Sequence, residues 1–130
     1  MKPSKILVVD DDSDLRRGLH VLLKANGYAV TFAADGLSSV SAARQDPPDA
    51  IILDLGLPAG DGYDVMKRLK AIIPLSQIPI VVLTAKDAAT NREMALNAGA
   101  SHFVEKPFEN DELLACVREA LGETRSPEAP

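Results

Sequence analysis

Tryptophan is absent from this 130-residue chain, aromatic side chains make up only 4% of it, and cysteine occurs once, at Cys116. Each shortage excludes something. A lone thiol cannot close an internal disulfide, so this is not a cystine-stapled scaffold. With so few rings to fill space, the core has to be aliphatic, built from Leu, Ile, Val and Ala. Cations are also in the minority, 14 Lys and Arg against 19 Asp and Glu, giving a net charge of −5 and a pI near 4.9. Nucleic-acid binding needs a basic face that displaces counterions, so neither DNA nor RNA is expected as a direct partner of this domain. No apolar run approaches the ~18 residues of a membrane span. Acidic residues follow Lys2 too soon for a signal peptide. The expected setting is reducing and cytoplasmic, and the length suits one domain with one core.

What is present is an alternation of short β-branched runs with longer segments of helical period, the signature of βαβ units and a parallel sheet. Strands are expected over 6–9, 28–33, 51–53, 80–83 and 102–104. The first helix carries Leu15, Leu19, Leu22 and Leu23, with Asp12 or Ser13 as its cap and Asn26 and Gly27 as its stop. A short helix over 37–44 follows the Asp35, Gly36 turn, and Pro47 and Pro48 break the chain before the next strand. A third helix puts Val65, Met66, Leu69 and Ile72 on its inner face and ends before Pro74. The fourth, over 87–98, is rich in Ala, with Met94 and Leu96 its only large apolar groups, so loose anchoring is expected. The fifth carries Leu113, Leu114, Val117 and Leu121 and stops at Gly122. The count is five strands and five helices. Residues 1–122 form the domain, and 123–130 are expected to be a disordered tail or the start of a linker.

Four of the strand-like runs end on residues suited to phosphoryl chemistry. The first leads into Asp10, Asp11 and Asp12, the third into Asp54, the fourth into Thr84, and the fifth through Glu105 into Lys106. Neighbouring parallel strands would bring these ends to one edge, where open α/β sheets bind ligands. A carboxylate at the end of a buried strand has a desolvation cost that something must offset. Asp54 reads as a nucleophile or metal ligand; the alternative, a helix cap, is opposed by Gly56 and Pro58, which delay the helix to Asp61 or Gly62. Asp12 suits a cap. The adjacent Asp10 and Asp11 repel unless a cation lies between them, and a hard divalent ion accepts such oxygens. Thr84 is either a strand former or a hydroxyl donor, with small Ala85 leaving room beside it. Lys106 is either a solvated lysine or a charge aimed at the carboxylates, and its bond to Pro107 is a candidate for the cis form. The turn-rich loop over 56–62 is placed to pass close to a ligand.

Ile6, Leu7, Val8, Val9 leading to Asp10, Asp11, Asp12; Leu53, Asp54, Leu55, Gly56, Leu57, Pro58 with Asp61, Gly62; Val82, Leu83, Thr84, Ala85; and Glu105, Lys106, Pro107, Phe108 together resemble the receiver domains of two-component response regulators. The resemblance runs over residues 4–121. It implies the α/β flavodoxin-like (βα)5 fold, a doubly wound sheet of strand order 2-1-3-4-5. It makes Asp54 the phosphoacceptor, with Mg2+ (Mn2+ the alternative ion) held by Asp11, Asp54 and the main-chain carbonyl of Gly56, and by Asp10 through water or directly. It implies that Thr84 and Lys106 contact the phosphoryl oxygens, and that Phe103 is the rotating aromatic of the switch.

The same resemblance implies a phosphorelay role. A sensor histidine kinase or histidine phosphotransferase donates the phosphoryl group, Thr84 is drawn inward, and Phe103 turns into the space. The surface of the fourth helix, fifth strand and fifth helix then changes for an effector protein, a fused output domain or a dimer partner. Such a domain is not an enzyme beyond its own phosphorylation from small donors and its own dephosphorylation.

Phe103 stands where Tyr is commoner, so the switch is expected to rest on packing alone. Gly56 offers no side chain to orient a hydrolytic water and Lys86 is cationic, so a long-lived acyl phosphate is expected. Two competitors remain. A haloacid-dehalogenase-type phosphatase needs a second Asp where Gly56 stands, and a pseudo-receiver would bind partners without phosphorylation. His20, His102 and Cys116 read as structural residues.

Overall fold

The computed structural model describes residues 2–58 and 61–123. Ala59 and Gly60 of the loop expected near a ligand lie outside the described residues, as does the expected tail beyond Glu123.

Five strands and five α-helices alternate: β1 (Lys5–Val9), α1 (Ser13–Ala25), β2 (Ala29–Ala33), α2 (Gly36–Gln45), β3 (Ala50–Leu53), α3 (Gly62–Ala71), β4 (Ile80–Thr84), α4 (Ala88–Asn97), β5 (His102–Glu105) and α5 (Asn110–Ala120). The strands form one parallel sheet in the order β2-β1-β3-β4-β5. Central strands of such a sheet are covered on both faces and so read as continuous apolar runs; β3 and β4 are buried throughout, and β1 from Ile6 onward. Because successive side chains point to opposite faces, each strand feeds two layers. Leu7, Val9, Ile51, Leu53 and Val82 meet Val65, Met66 and Leu69 of α3 and Ala95 of α4 on one face. Ile6, Val8, Ile52, Val81 and Leu83 meet Leu19 and Leu23 of α1 and Leu113 and Val117 of α5 on the other. Tyr28 belongs to the second layer, and Tyr63 packs against the first.

Helix ends follow local chemistry. Asp12, Asp35, Asp61 and Asp87 cap α1, α2, α3 and α4, each accepting from backbone N–H groups of the first turn. Gly27, Gly99 and Gly122 take positive φ after α1, α4 and α5, the backbone region that a Cβ disfavours.

One expected boundary shifts. Helix α3 ends before Pro74 as expected, but at Ala71, and Ile72 is an extended cap residue leading into a 3-10 turn, Ile73–Leu75, with Pro74 inside it; Ile72 still packs against the core layer, and proline's fixed φ and missing N–H suit that first turn. The large apolar residues of α4 do not face the core, which fits the loose anchoring expected of this helix. Met94 is 51% exposed and Leu96 42%, while Ala95 between them is fully buried. Successive helical residues are rotated by ~100°, so burying Ala95 turns both neighbours toward solvent. The helix is anchored by a small residue, and that allows close approach but little apolar burial.

Candidate functional site

Strand order reverses between β1 and β3, and the register pairs Val9 with Leu53, so the residues that follow, Asp10 and Asp54, emerge side by side. The ladder continues past the strand ends: Asp54 N–H donates to Val9 O at 3.0 Å and Asp10 N–H to Ala33 O at 3.1 Å. Both carboxylates are buried, Asp10 3% and Asp54 8% exposed, and Asp11 beside them is exposed. One oxygen from each of the three lies within 4.8 Å of the others.

The two buried carboxylates are held. The Thr84 hydroxyl, at the end of β4, donates to Asp54 Oδ1 at 2.8 Å, and the Gly56 amide adds a bond to the same oxygen at 3.2 Å. Lys106, just past β5, places Nζ 2.8 Å from Asp10 Oδ2 and 3.7 Å from Asp54 Oδ2. Its peptide bond to Pro107 is cis, the form the sequence made a candidate. Asp10 Oδ1 accepts from the Asp12 amide at 2.9 Å. Asp12 itself faces away from the cluster as the α1 cap, accepting from the amides of Asp14 and Leu15. Among the described residues only Lys106 forms an ion pair with these three carboxylates, so acidic groups outnumber their ion-pair partners in the crevice. An all-oxygen donor set with that excess matches a hard divalent cation such as Mg2+, which favours one or two carboxylates and keeps water on its remaining positions.

Three further residues support the site, and two of them, Arg16 and Arg92, had no part in the sequence reading. Arg16, one turn into α1, donates from Nη1 to the Asp10 carbonyl at 2.7 Å. The Lys86 amide donates to the Thr84 hydroxyl at 3.3 Å, orienting it toward Asp54. Arg92 of α4 lies over the Phe103 ring, its guanidinium carbon 5.0 Å from the ring centroid. Gly62 was noted only as a turn former, yet its amide bonds the Leu55 carbonyl at 3.0 Å. A Cβ there would stand 2.6 Å from both the Asp54 carbonyl oxygen and the Leu55 Cα, so glycine is required by close approach rather than by φ. The motif Asp61, Gly62 was the only signal available, since contact between loop backbones leaves no periodicity.

Phe103 is buried, 5% exposed, in the layer beneath α4. The covering guanidinium corrects the expectation that its position rests on packing alone. Tyr63 of α3 donates its hydroxyl to Asn91 Oδ1 of α4 at 2.7 Å, and burial followed by the Asp61 charge raises its pKa. His102 bridges Ser101 and Glu119, the latter at 2.6 Å, tying β5 to α5. His20 stacks on Phe32 at the β2 edge. Burial pushes the Cys116 thiol up, with Glu112 and Glu119 adding to it, so the thiol stays protonated and unreactive.

A doubly wound α/β sheet with an acidic crevice at its switch point, a strand-end hydroxyl and a lysine facing it, is the architecture of a flavodoxin-like signalling domain. The sequence profile of the response regulator receiver domain matches residues 6–118, and the chain belongs to that family. It is 41% identical over 128 residues to the response regulator MprA of Mycobacterium sp. strain KMS, covering 98% of this chain and 55% of that one. The chain therefore spans about half the length of the curated relatives it matches. Among solved structures, a putative response regulator from Chloroflexus aurantiacus superposes with a TM-score of 0.89 at 36% identity, over 93% of this chain and 99% of that one. The receiver domain of sensor histidine kinase PA1611 from Pseudomonas aeruginosa, which has a magnesium ion coordinated in its active site cleft, gives 0.85 at 33% identity, over 92% and 98%. Among the described residues, no helix is long and apolar enough to cross a membrane.

Proposed function

We propose that Asp54 is the phosphoacceptor of a two-component phosphorelay switch. The observation that carries this reading is the setting of its carboxylate: buried at the switch point, with Thr84 on one oxygen, Lys106 near the other, and Asp10 and Asp11 beside it. A carboxylate oxygen attacks phosphorus in line; the P–N bond of a donor phosphohistidine breaks, its electron pair stays on the imidazole, and an acyl phosphate forms. Lys106 offsets charge on the phosphoryl oxygens. Thr84 transfers its hydrogen bond from Asp54 to one of those oxygens. A bound Mg2+ or Mn2+, held by Asp11, Asp54, the Gly56 carbonyl and Asp10 directly or through water, supplies further charge neutralisation.

The donor is a sensor histidine kinase or a histidine phosphotransferase. The readout is the face formed by α4, β5 and α5, offered to an effector, a fused output domain or a dimer partner, in a cytoplasmic protein whose receiver unit is residues 1–122. Incubation with Mg2+ and acetyl phosphate tests this. The expected result is the mass of one added phosphoryl group, lost in Asp54→Asn; no adduct on the unaltered chain overturns the reading.

A further inference from the structure

Phe103 sits inward, 5% exposed, in the core layer beneath α4. Register pairs Phe103 with Val82, and Thr84 lies two residues further along β4 on the same face, so ring and hydroxyl are diagonal neighbours in one layer. Burial alone does not distinguish this aromatic from any other core residue. What is specific is its cover. The Arg92 guanidinium lies 5.0 Å from the ring centroid, within the range of a cation–π contact, and Nη1 donates to the Phe103 carbonyl at 3.3 Å. The same side chain thus holds both the ring and the backbone of one residue. Among the described residues no carboxylate comes within ion-pairing distance of Arg92, so no stronger partner competes for it.

The helix that carries Arg92 needs this tether. Ala95 is its only fully buried side chain, and Met94 and Leu96 are turned outward. Polar bonds from two successive residues compensate: Asn91 reaches Tyr63 on α3, and Arg92 reaches Phe103 on β5. The first holds the helix on its α3 side without touching the ring; only the second bears on the aromatic.

We infer that Arg92 is a positioning residue for Phe103, holding the ring inward before phosphorylation and so setting how much of the switch is left for phosphorylation to move. The inference rests on the phosphoacceptor reading only for its second half; the hold on the ring stands on geometry. Two coupled sites bias each other by the same factor. If an inward ring and an inward Thr84 favour the loaded site, releasing the ring weakens loading to the same degree. A cation–π contact of an exposed arginine is worth roughly a twofold to fivefold shift in population.

The experiment has two arms. Fluorinated phenylalanine reports on Phe32, Phe103 and Phe108, with the Phe103 resonance assigned by Phe103→Leu. In the free protein, Arg92→Met, which keeps the aliphatic stem but lacks the charge, should broaden or split the Phe103 resonance. Arg92→Lys should restore part of it. Tyr63→Phe, which cuts the other tether of α4, should leave it unchanged. An Arg92→Met spectrum like that of the unaltered chain overturns the inference, and so does an equal change in Tyr63→Phe. In the second arm, the beryllofluoride concentration for half-loading in Mg2+ should rise twofold to fivefold in Arg92→Met; no rise overturns the coupling. Failure of the unaltered chain to load at all instead overturns the phosphoacceptor reading, and the first arm still decides the hold on the ring.

Discussion

Gly56 and Gly62 lie in the same stretch after β3 and answer differently to one added methyl group. At Gly56 a Cβ would meet Lys86 Cε at 3.7 Å and Asp54 Oδ1 at 4.0 Å, ordinary contact distances. At Gly62 it would overlap the backbone of Asp54 and Leu55. Gly62→Ala should therefore lower stability by about 1–3 kcal/mol, the usual cost of overpacking, and slow phosphoryl uptake because the displaced backbone carries Asp54. Gly56→Ala should leave both unchanged. Urea melts and acetyl phosphate loading of the two variants check this contrast. The room beside Gly56 also bears on phosphoryl lifetime. Gly56→Asn should fit, present an amide to a hydrolytic water, and shorten the life of the acyl phosphate. An unchanged autodephosphorylation rate would count against that role for the empty position.

Among the helices, α4 is where proton concentration should be felt locally. The Asp87 carboxylate accepts from the Thr90 hydroxyl and from the amides of Ala89 and Thr90, and these bonds, led by that from the Thr90 side chain, hold its pKa below the ordinary value of 3.8. A folded-state pKa below the unfolded one means that the cap's contribution is complete above the unfolded value and is lost as pH falls through the lower, folded one. Relative to Asp87→Asn, whose cap does not titrate, amide exchange of Asn91 and Arg92 should accelerate as pH falls below the ordinary carboxylate value of 3.8. An identical pH profile in the variant would exclude the cap as the cause. The same helix shows what a linear reading misses. Its existence, its Asp87 start and its thin apolar stripe were legible in the composition. Its rotation was not, because that depends on whether a methyl or a larger group meets the sheet, a three-dimensional choice that sent Met94 and Leu96 outward. Ile72 keeps its expected place against the core layer, but the turn around Pro74 makes it the cap of α3 rather than a residue within it.

On the scale of the whole molecule, one sheet separates two apolar layers that share no side chains, and each layer has its own tyrosine, Tyr28 in one and Tyr63 against the other. With no tryptophan to mask them, these are separate probes. Tyr63→Phe leaves fluorescence reporting on the α1 and α5 side, and Tyr28→Phe leaves it reporting on the α3 and α4 side. After correction for the stability cost of each substitution, both should give the same denaturation profile, because every strand interior belongs to both layers and neither can melt alone. Two distinct transitions would mean that the layers unfold independently. The acidic crevice was the most legible feature at this scale, since strand ends with unusual chemistry stand out against apolar runs. Arg16 and Arg92 did not stand out because arginines on a helix surface ordinarily meet water, and only geometry shows that these two reach the Asp10 carbonyl and the Phe103 ring.

The pairing of Val9 with Leu53, continued by the Asp54 amide on the Val9 carbonyl, has a last consequence. It makes the hydrogen-bond ladder a gauge block: the backbone distance between the two buried acids is the interstrand spacing of a parallel sheet, ~4.8 Å, and no loop can stretch it. Any ion entering the crevice must be fitted by rotating carboxylates about a fixed frame. A single residue inserted into β1 would swing Asp10 to the opposite face and dismantle the gauge at one stroke.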